Sequence, residues 1–229
     1  MTSTAVLLVL SSCATAVVHA LIPDHWLPFV LLARSQRWGD RRITLLTGLA
    51  GLLHVMMSVI AGALAIAMGA TSARGLAERV GRSLEFLSGL LLVLFGVAYG
   101  VWAHRREARV HGHPGESAAG EGGLHAHGHL LERWFRGAIT GGALVVVIGM
   151  SPCALLAPIL FAASAEGTAV IALAALGFAS CTIGTMVGIT LFASRGMRRL
   201  DLPFFTRYGD LISGVLIAVI GFVLMALEA

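Results

Sequence analysis

Long apolar runs separated by short arginine-bearing segments set the pattern of this chain. Runs long enough to cross a bilayer as helices lie at 4–33, 43–68, 84–103, 137–164, 168–193 and 209–227, since about 20 apolar residues span the hydrocarbon. The first and fourth are interrupted, by Pro23 and Pro28 and by Pro152 and Pro158. A proline in a helix interior leaves the carbonyl four residues earlier without its donor. In the first run those carbonyls belong to His19 and Asp24, so residues with polar side chains are also expected to release backbone oxygens. At membrane depth a broken helix is tolerated only where it is buried in protein or lines a cavity. The pattern predicts an all-α integral membrane protein of six spans, with helices 1 and 4 broken by proline.

The two halves match in order. Pro23–Pro28 corresponds to Pro152–Pro158, and the glycine frame Gly51–Gly62 to Gly177–Gly188. Most specific is the third pair, where Arg82, Glu85, Ser88, Gly89 and Gly96 recur in type and spacing as Arg207, Asp210, Ser213, Gly214 and Gly221. A duplicated unit of three spans has to cross the membrane in the opposite sense in its second copy. The expectation is therefore two inverted three-helix repeats, 1–103 and 137–229, joined by a loop over 104–136. Broken helices at matching positions of inverted halves are expected to meet at a substrate site near the midplane, the plan of a carrier and not of an enzyme. Small residues at four-residue spacing, Gly137/Gly141, Ser58/Gly62 and Gly184/Gly188, are expected only to let helices approach closely.

Composition agrees: 57% of the 229 residues are hydrophobic and 12% charged, with a mean hydropathy of +0.87, outside the range of water-soluble domains. The formal charge of +4 comes from arginine alone, since lysine is absent, and it implies no nucleic-acid partner. Arginines cluster after the first, third and fifth spans, so by the positive-inside rule both termini face out and the 104–136 loop faces the cytoplasm. Leu10-Ser-Ser-Cys13 faintly resembles a lipoprotein cleavage site but has no basic segment before it, and is taken as part of a retained first span. Cys13, Cys153 and Cys181 all fall in apolar runs, which disfavours a disulfide framework.

Candidate chemistry concentrates in His19-x4-Asp24-His25. On one continuous helix the first two would lie about 140° apart, so unwinding at Pro23 is needed for them to converge. His54 in the second span adds a third imidazole, and Cys153 stands in the fourth span where Asp24 stands in the first. Imidazole and carboxylate together suit borderline divalent ions such as Ni²⁺, Co²⁺, Zn²⁺ or Cu²⁺, whereas Mg²⁺ and Ca²⁺ prefer oxygen alone. Binding is expected to weaken as pH falls through the histidine range, because the ligand is the neutral ring. A proton relay or a structural role could use the same side chains. Cys153 could act as a soft ligand, a redox thiol or inert packing. Six of the nine histidines lie between His104 and His129, in a Gly- and Ala-rich loop expected to be weakly ordered and to bind metal. The acid and arginine pairs Arg82/Glu85 and Arg207/Asp210 are expected to anchor helix starts, with a gating role as the alternative.

These residues resemble the nickel/cobalt transporter families of NiCoT and NicO type, including urease-accessory-like membrane proteins, within the LysE/DsbD superfamily. The likeness rests on His19, Asp24, His25, His54, Pro152-Cys153 and the histidine-rich loop. It implies an inner-membrane carrier of bacterial type that moves Ni²⁺ or Co²⁺, with Zn²⁺ as a further candidate, and that recognises the ion at His19, Asp24 and His25. It also implies a metallochaperone as a candidate partner at the loop, with export slightly favoured over import. The chain departs from NiCoT permeases in having six expected spans where eight are usual, and from NicO proteins in reading Pro23-Asp24-His25 where those carry proline-glycine-histidine. Ser151–Pro158 also looks like the cysteine motif of CcdA/DsbD-type thiol-disulfide electron transporters, which would use Cys153. An organic-anion or amino-acid exporter on this scaffold would need no metal.

Overall fold

The structure is a computed structural model that describes the backbone of residues 2–67, 70–110, 140–151, 153, 155–199 and 203–228. Side chains are described for all of these except 65, 70–82, 84, 85, 106–110, 203–207 and 228. The described chain is helical: α1 (Ser3–Ala20), α2 (Pro23–Ser35), α3 (Asp40–Ala67), α4 (Ala70–Val110), α5 (Thr140–Gly149), then α6 (Leu156–Ser164), α7 (Thr168–Arg199) and α8 (Pro203–Glu228). Five helices, α1, α3, α4, α7 and α8, are long and apolar enough to cross a membrane. The protein is thus an all-α, multi-pass membrane protein. Outward-facing Leu10, Leu94, Leu176 and Phe222 are exposed, as expected of faces solvated by lipid.

The chain between residues 4 and 33 is not one helix. α1 ends at Ala20 and α2 begins at Pro23, which occupies the first helical position, where a missing N–H is harmless. Pro28 lies inside α2 without ending it. The His19 carbonyl, expected to be released, accepts the Ile22 N–H at 3.1 Å. Trp26 Nε1 donates to the Leu21 carbonyl at 3.0 Å, so a side chain from the second segment satisfies an orphan of the first. A second interruption separates α5 and α6, which over their described residues are each too short to cross a bilayer alone. There the Cys153 N–H donates to Ser58 Oγ at 2.7 Å.

Register follows from specific contacts. α1 runs alongside α7 in the same direction: Ser12 Oγ donates to the Ala174 carbonyl at 2.8 Å, and Cys13 Sγ fills the space at Gly177. At one end Thr2 Oγ1 caps α1 and donates to Glu166 at 2.6 Å, beside the turn where Gly167 adopts φ +106°. α5 and α6 follow α3, with Gly141 against Leu46, Gly149 against Leu53 and Gly62 against Leu160. α3 runs antiparallel to α7, Gly48 facing Val187 and Gly51 facing Ile183 and Met186. α4 and α8 pack antiparallel over a long seam, where an added Cβ at Gly96 would come within 2.4 Å of the Ala218 nitrogen and one at Gly221 within 2.5 Å of the Gly89 carbonyl. Gly184 and Gly188, expected to bring helices together, have no such neighbour within 4 Å. α2 occupies the centre, its Phe29, Leu31 and Leu32 buried with Trp38, Leu144, Met186 and Ile217.

α4 continues through Val110, so residues 104–110, assigned from the sequence to the loop, are helical. His111, His113, His125, His127, His129 and Pro152 lie outside the described residues, as do the side chains of Arg82, Glu85 and Arg207. Asp210, the remaining member of those pairs, accepts the Tyr99 hydroxyl at 2.5 Å. Gln36 donates to the same tyrosine oxygen at 3.2 Å, so this end of α8 is tied to α4 and to the end of α2.

Candidate metal centre

The interruption at Leu21 and Ile22 decides the geometry of the centre. His19 sits on the last turn of α1 and His25 on the first turn of α2. On an uninterrupted helix six residues would separate these rings by about 120° around the axis. With the chain unwound between them, the ring centroids lie 4.5 Å apart, edge to face. His54, from the middle of α3, stacks 5.5 Å from His19 and stands edge-on 5.0 Å from His25. One donor atom from each of the three residues lies within 4.8 Å of the other two. His25 and His54 are buried, 4% and 1% exposed.

Bonds of about 2.1 Å from a tetrahedral ion to imidazole nitrogens would place those nitrogens about 3.4 Å apart. Small rotations of the rings therefore bring the set onto a metal. Three nitrogens on one side of a tetrahedral ion leave the fourth coordination position open. His19 Nε2 and both ring nitrogens of His54 are buried without a hydrogen-bond partner, although the Ser151 and Ile148 carbonyls lie close to His54. Unpaired polar atoms at this depth are costly, and a shared cation would satisfy them.

Asp24 joins the centre through His25. Its Oδ1 lies 2.5 Å from His25 Nδ1, so an ionised Asp24 would accept a hydrogen bond from a protonated Nδ1 and leave the Nε2 lone pair free for a ligand. A carboxylate holding the far side of a ligating imidazole fixes its tautomer and raises its basicity. The group of mutually close donors consists of the three imidazoles, and Asp24 meets it through His25. Cys153 is 2% exposed and lies in the second interruption, and its thiol is likewise not part of that group.

Ser58 has a role that its sequence context did not signal. It is fully buried, donates to the His54 carbonyl at 2.8 Å and accepts the Cys153 N–H. One hydroxyl thus ties the α5–α6 interruption to the helical turn that carries His54. The only signal in the sequence was a serine one turn after a histidine in an apolar run.

The Asp24 contact yields a prediction. Asp24→Asn should weaken Ni²⁺ affinity by about 10–100-fold, the usual effect of losing an outer carboxylate. Calorimetric titration of the purified variant checks this, and affinity equal to wild type would remove Asp24 from the centre. Comparison with protein-family models, curated proteins and solved structures finds no match for this chain, so the imidazole geometry carries the functional argument.

Proposed function

We propose that the protein is a membrane carrier of divalent transition-metal ions, nickel or cobalt foremost, and not an enzyme. His19, His25 and His54 bind the ion, and Asp24 orients His25. The observation that carries this reading is the buried set of three imidazoles, drawn from both sides of a helix break, with ring nitrogens left unpaired inside a membrane protein. Neutral nitrogen donors favour Ni²⁺, Co²⁺ or Zn²⁺ over Mg²⁺ and Ca²⁺. Cys153 remains a candidate soft contributor from the second break.

On this reading α1–α2 is one interrupted crossing and α5–α6 another, giving six crossings in two inverted repeats. The packing supports it. Exchanging the halves turns the parallel pair of α1–α2 with α7 into the pair of α5–α6 with α3. The same exchange turns the Gly89–Gly221 contact into the Gly96–Gly214 contact, and both occur. The carrier would sit in a cytoplasmic membrane of bacterial type with both termini outside, and alternating access would rock one half against the other. A histidine-rich loop on the cytoplasmic side suits capture before export, with a metallochaperone as its candidate partner.

Proteoliposomes test the reading. Wild-type protein should accumulate or release Ni²⁺ or Co²⁺ and leave Mg²⁺ and Ca²⁺ in place. A variant with His19, His25 and His54 all replaced by alanine should do neither, and equal flux in the two proteins would defeat the proposal. A thiol-disulfide reading has one observation of its own: Cys13 on α1 and Cys181 on α7, one from each half, are neighbouring free thiols. Loss of all activity in Cys153→Ser with His19→Ala tolerated would favour it.

A further inference from the structure

Hydroxyl side chains in membrane helices ordinarily donate to the carbonyl one turn earlier. Ser58, Ser180, Thr190 and Ser213 all do so. Thr47, Thr182 and Ser194 do not: their oxygens are buried without any partner. Together with His19 and His54 they account for every such side-chain atom among the described residues. Buried polar groups in native proteins are nearly always satisfied, so a concentration of exceptions calls for a ligand, water or an ion.

All of these residues but His19 share one seam, between α3 and α7. α7 buries every fourth residue, and the sequence of that face changes character along its length: Val170, Ala174 and Phe178, then Thr182, Met186, Thr190 and Ser194. The antiparallel register set by Gly48 with Val187 and Gly51 with Ile183 brings His54 level with Thr182 and Thr47 level with the stretch between Met186 and Thr190. At the end of the seam Asp40 accepts from Arg195 Nε at 2.9 Å and pairs with Arg198. These groups are exposed. From the imidazoles toward this end the seam offers oxygens and one thioether, whereas the opposite half of the same face is apolar.

We infer that the α3/α7 seam from Thr182 to Ser194 is the conduit between the metal centre and the Asp40 end of the protein, with Asp40 and its two arginines as the closing contact. The inference rests on the metal-carrier reading for its cargo. Hydroxyl oxygens and the Met186 thioether replace part of the hydration shell as the ion passes. A divalent cation arriving at the mouth competes with Arg195 and Arg198 for the Asp40 carboxylate, which opens the contact only when an ion is there.

Thiol accessibility tests the conduit independently of the cargo. In a background with Cys13, Cys153 and Cys181 replaced by alanine, Thr190→Cys and Ser194→Cys are exposed to a small cationic thiol reagent that does not cross lipid. The control is Phe192→Cys, whose native side chain is 80% exposed on the outer face of the same helix. Because the reagent needs a water-accessible thiolate, both conduit positions should react at least about tenfold faster than the control. Adding Asp40→Asn should speed Thr190→Cys further. If Thr190→Cys fails to fold, Ser194→Cys carries the same comparison. Rates no faster than the control, even with Asp40→Asn, would overturn the conduit while leaving intact any Ni²⁺ flux of the wild-type protein. Fast labelling in a protein whose wild type neither binds nor moves Ni²⁺, Co²⁺ or Zn²⁺ would uphold the conduit and defeat the metal reading.

Discussion

Replacing His54 with alanine is expected to weaken Ni²⁺ binding by more than about 100-fold, because it removes a direct nitrogen donor where outer partners alone are worth about 10–100-fold. His54 faces both other rings and is almost fully buried, so nothing nearby can take over its position. Calorimetric titration is made on protein whose loop histidines have been replaced by asparagine, so that only the membrane site is read. His25→Ala should give a loss of similar size, since the two rings contribute to the same shell. A His54→Ala protein that elutes as wild type and binds Ni²⁺ within threefold of it would show that the rings do not share an ion.

Gly96→Val should disrupt the helix bundle itself. A Cβ at Gly96 would lie 2.4 Å from the Ala218 nitrogen and 2.6 Å from the Gly214 carbonyl, both backbone atoms that cannot rotate away. Overpacking of ordinary cores costs about 1–3 kcal/mol, and backbone-on-backbone collision has fewer routes to relief. With about 2–4 °C of melting temperature per kcal/mol at this chain length, a drop of more than about 5 °C is expected. Gly188→Ala provides the contrast. Nothing stands within 4 Å of that position, and alanine is the better helix former by about 1 kcal/mol, so its melting temperature should hold or rise. Equal behaviour of the two variants in a thermal shift assay would contradict the α4–α8 packing.

The helix break was legible because proline is favoured at a helix start and costly in its interior, although Pro28 is carried inside α2, and because the polar residues flanking Pro23 had no other reason to sit in an apolar run. His54 was legible only by association, as an imidazole in a helix next to three polar groups. Individual atomic partners were not. Adjacent residues such as Asp24 and His25 can both face an ion or can face each other, and only the unwound geometry decides that His25 Nδ1 meets the carboxylate. The glycine spacing was equally ambiguous. Gly96 and Gly100 have the same four-residue spacing as Gly184 and Gly188, yet the first pair meets backbone of α8 and the second faces open space, because the spacing describes one helix surface and says nothing of what lies opposite. Thr182 passed unnoticed for a related reason: a hydroxyl in a membrane helix ordinarily satisfies itself, and the exception shows only once its oxygen is seen to be buried without a partner.

The glycine seam between α4 and α8 also constrains how such a molecule could change shape. Where main chains meet without intervening side chains, there are no rotamers to repack, and axial sliding drives one carbonyl ladder into another. α4 and α8, one from each half of the chain, would therefore form the pivot about which the halves rock, with little sliding along the seam. Flexure would then fall to the interrupted segments, α1–α2 and α5–α6, the first of which carries His19 and His25 on either side of its break.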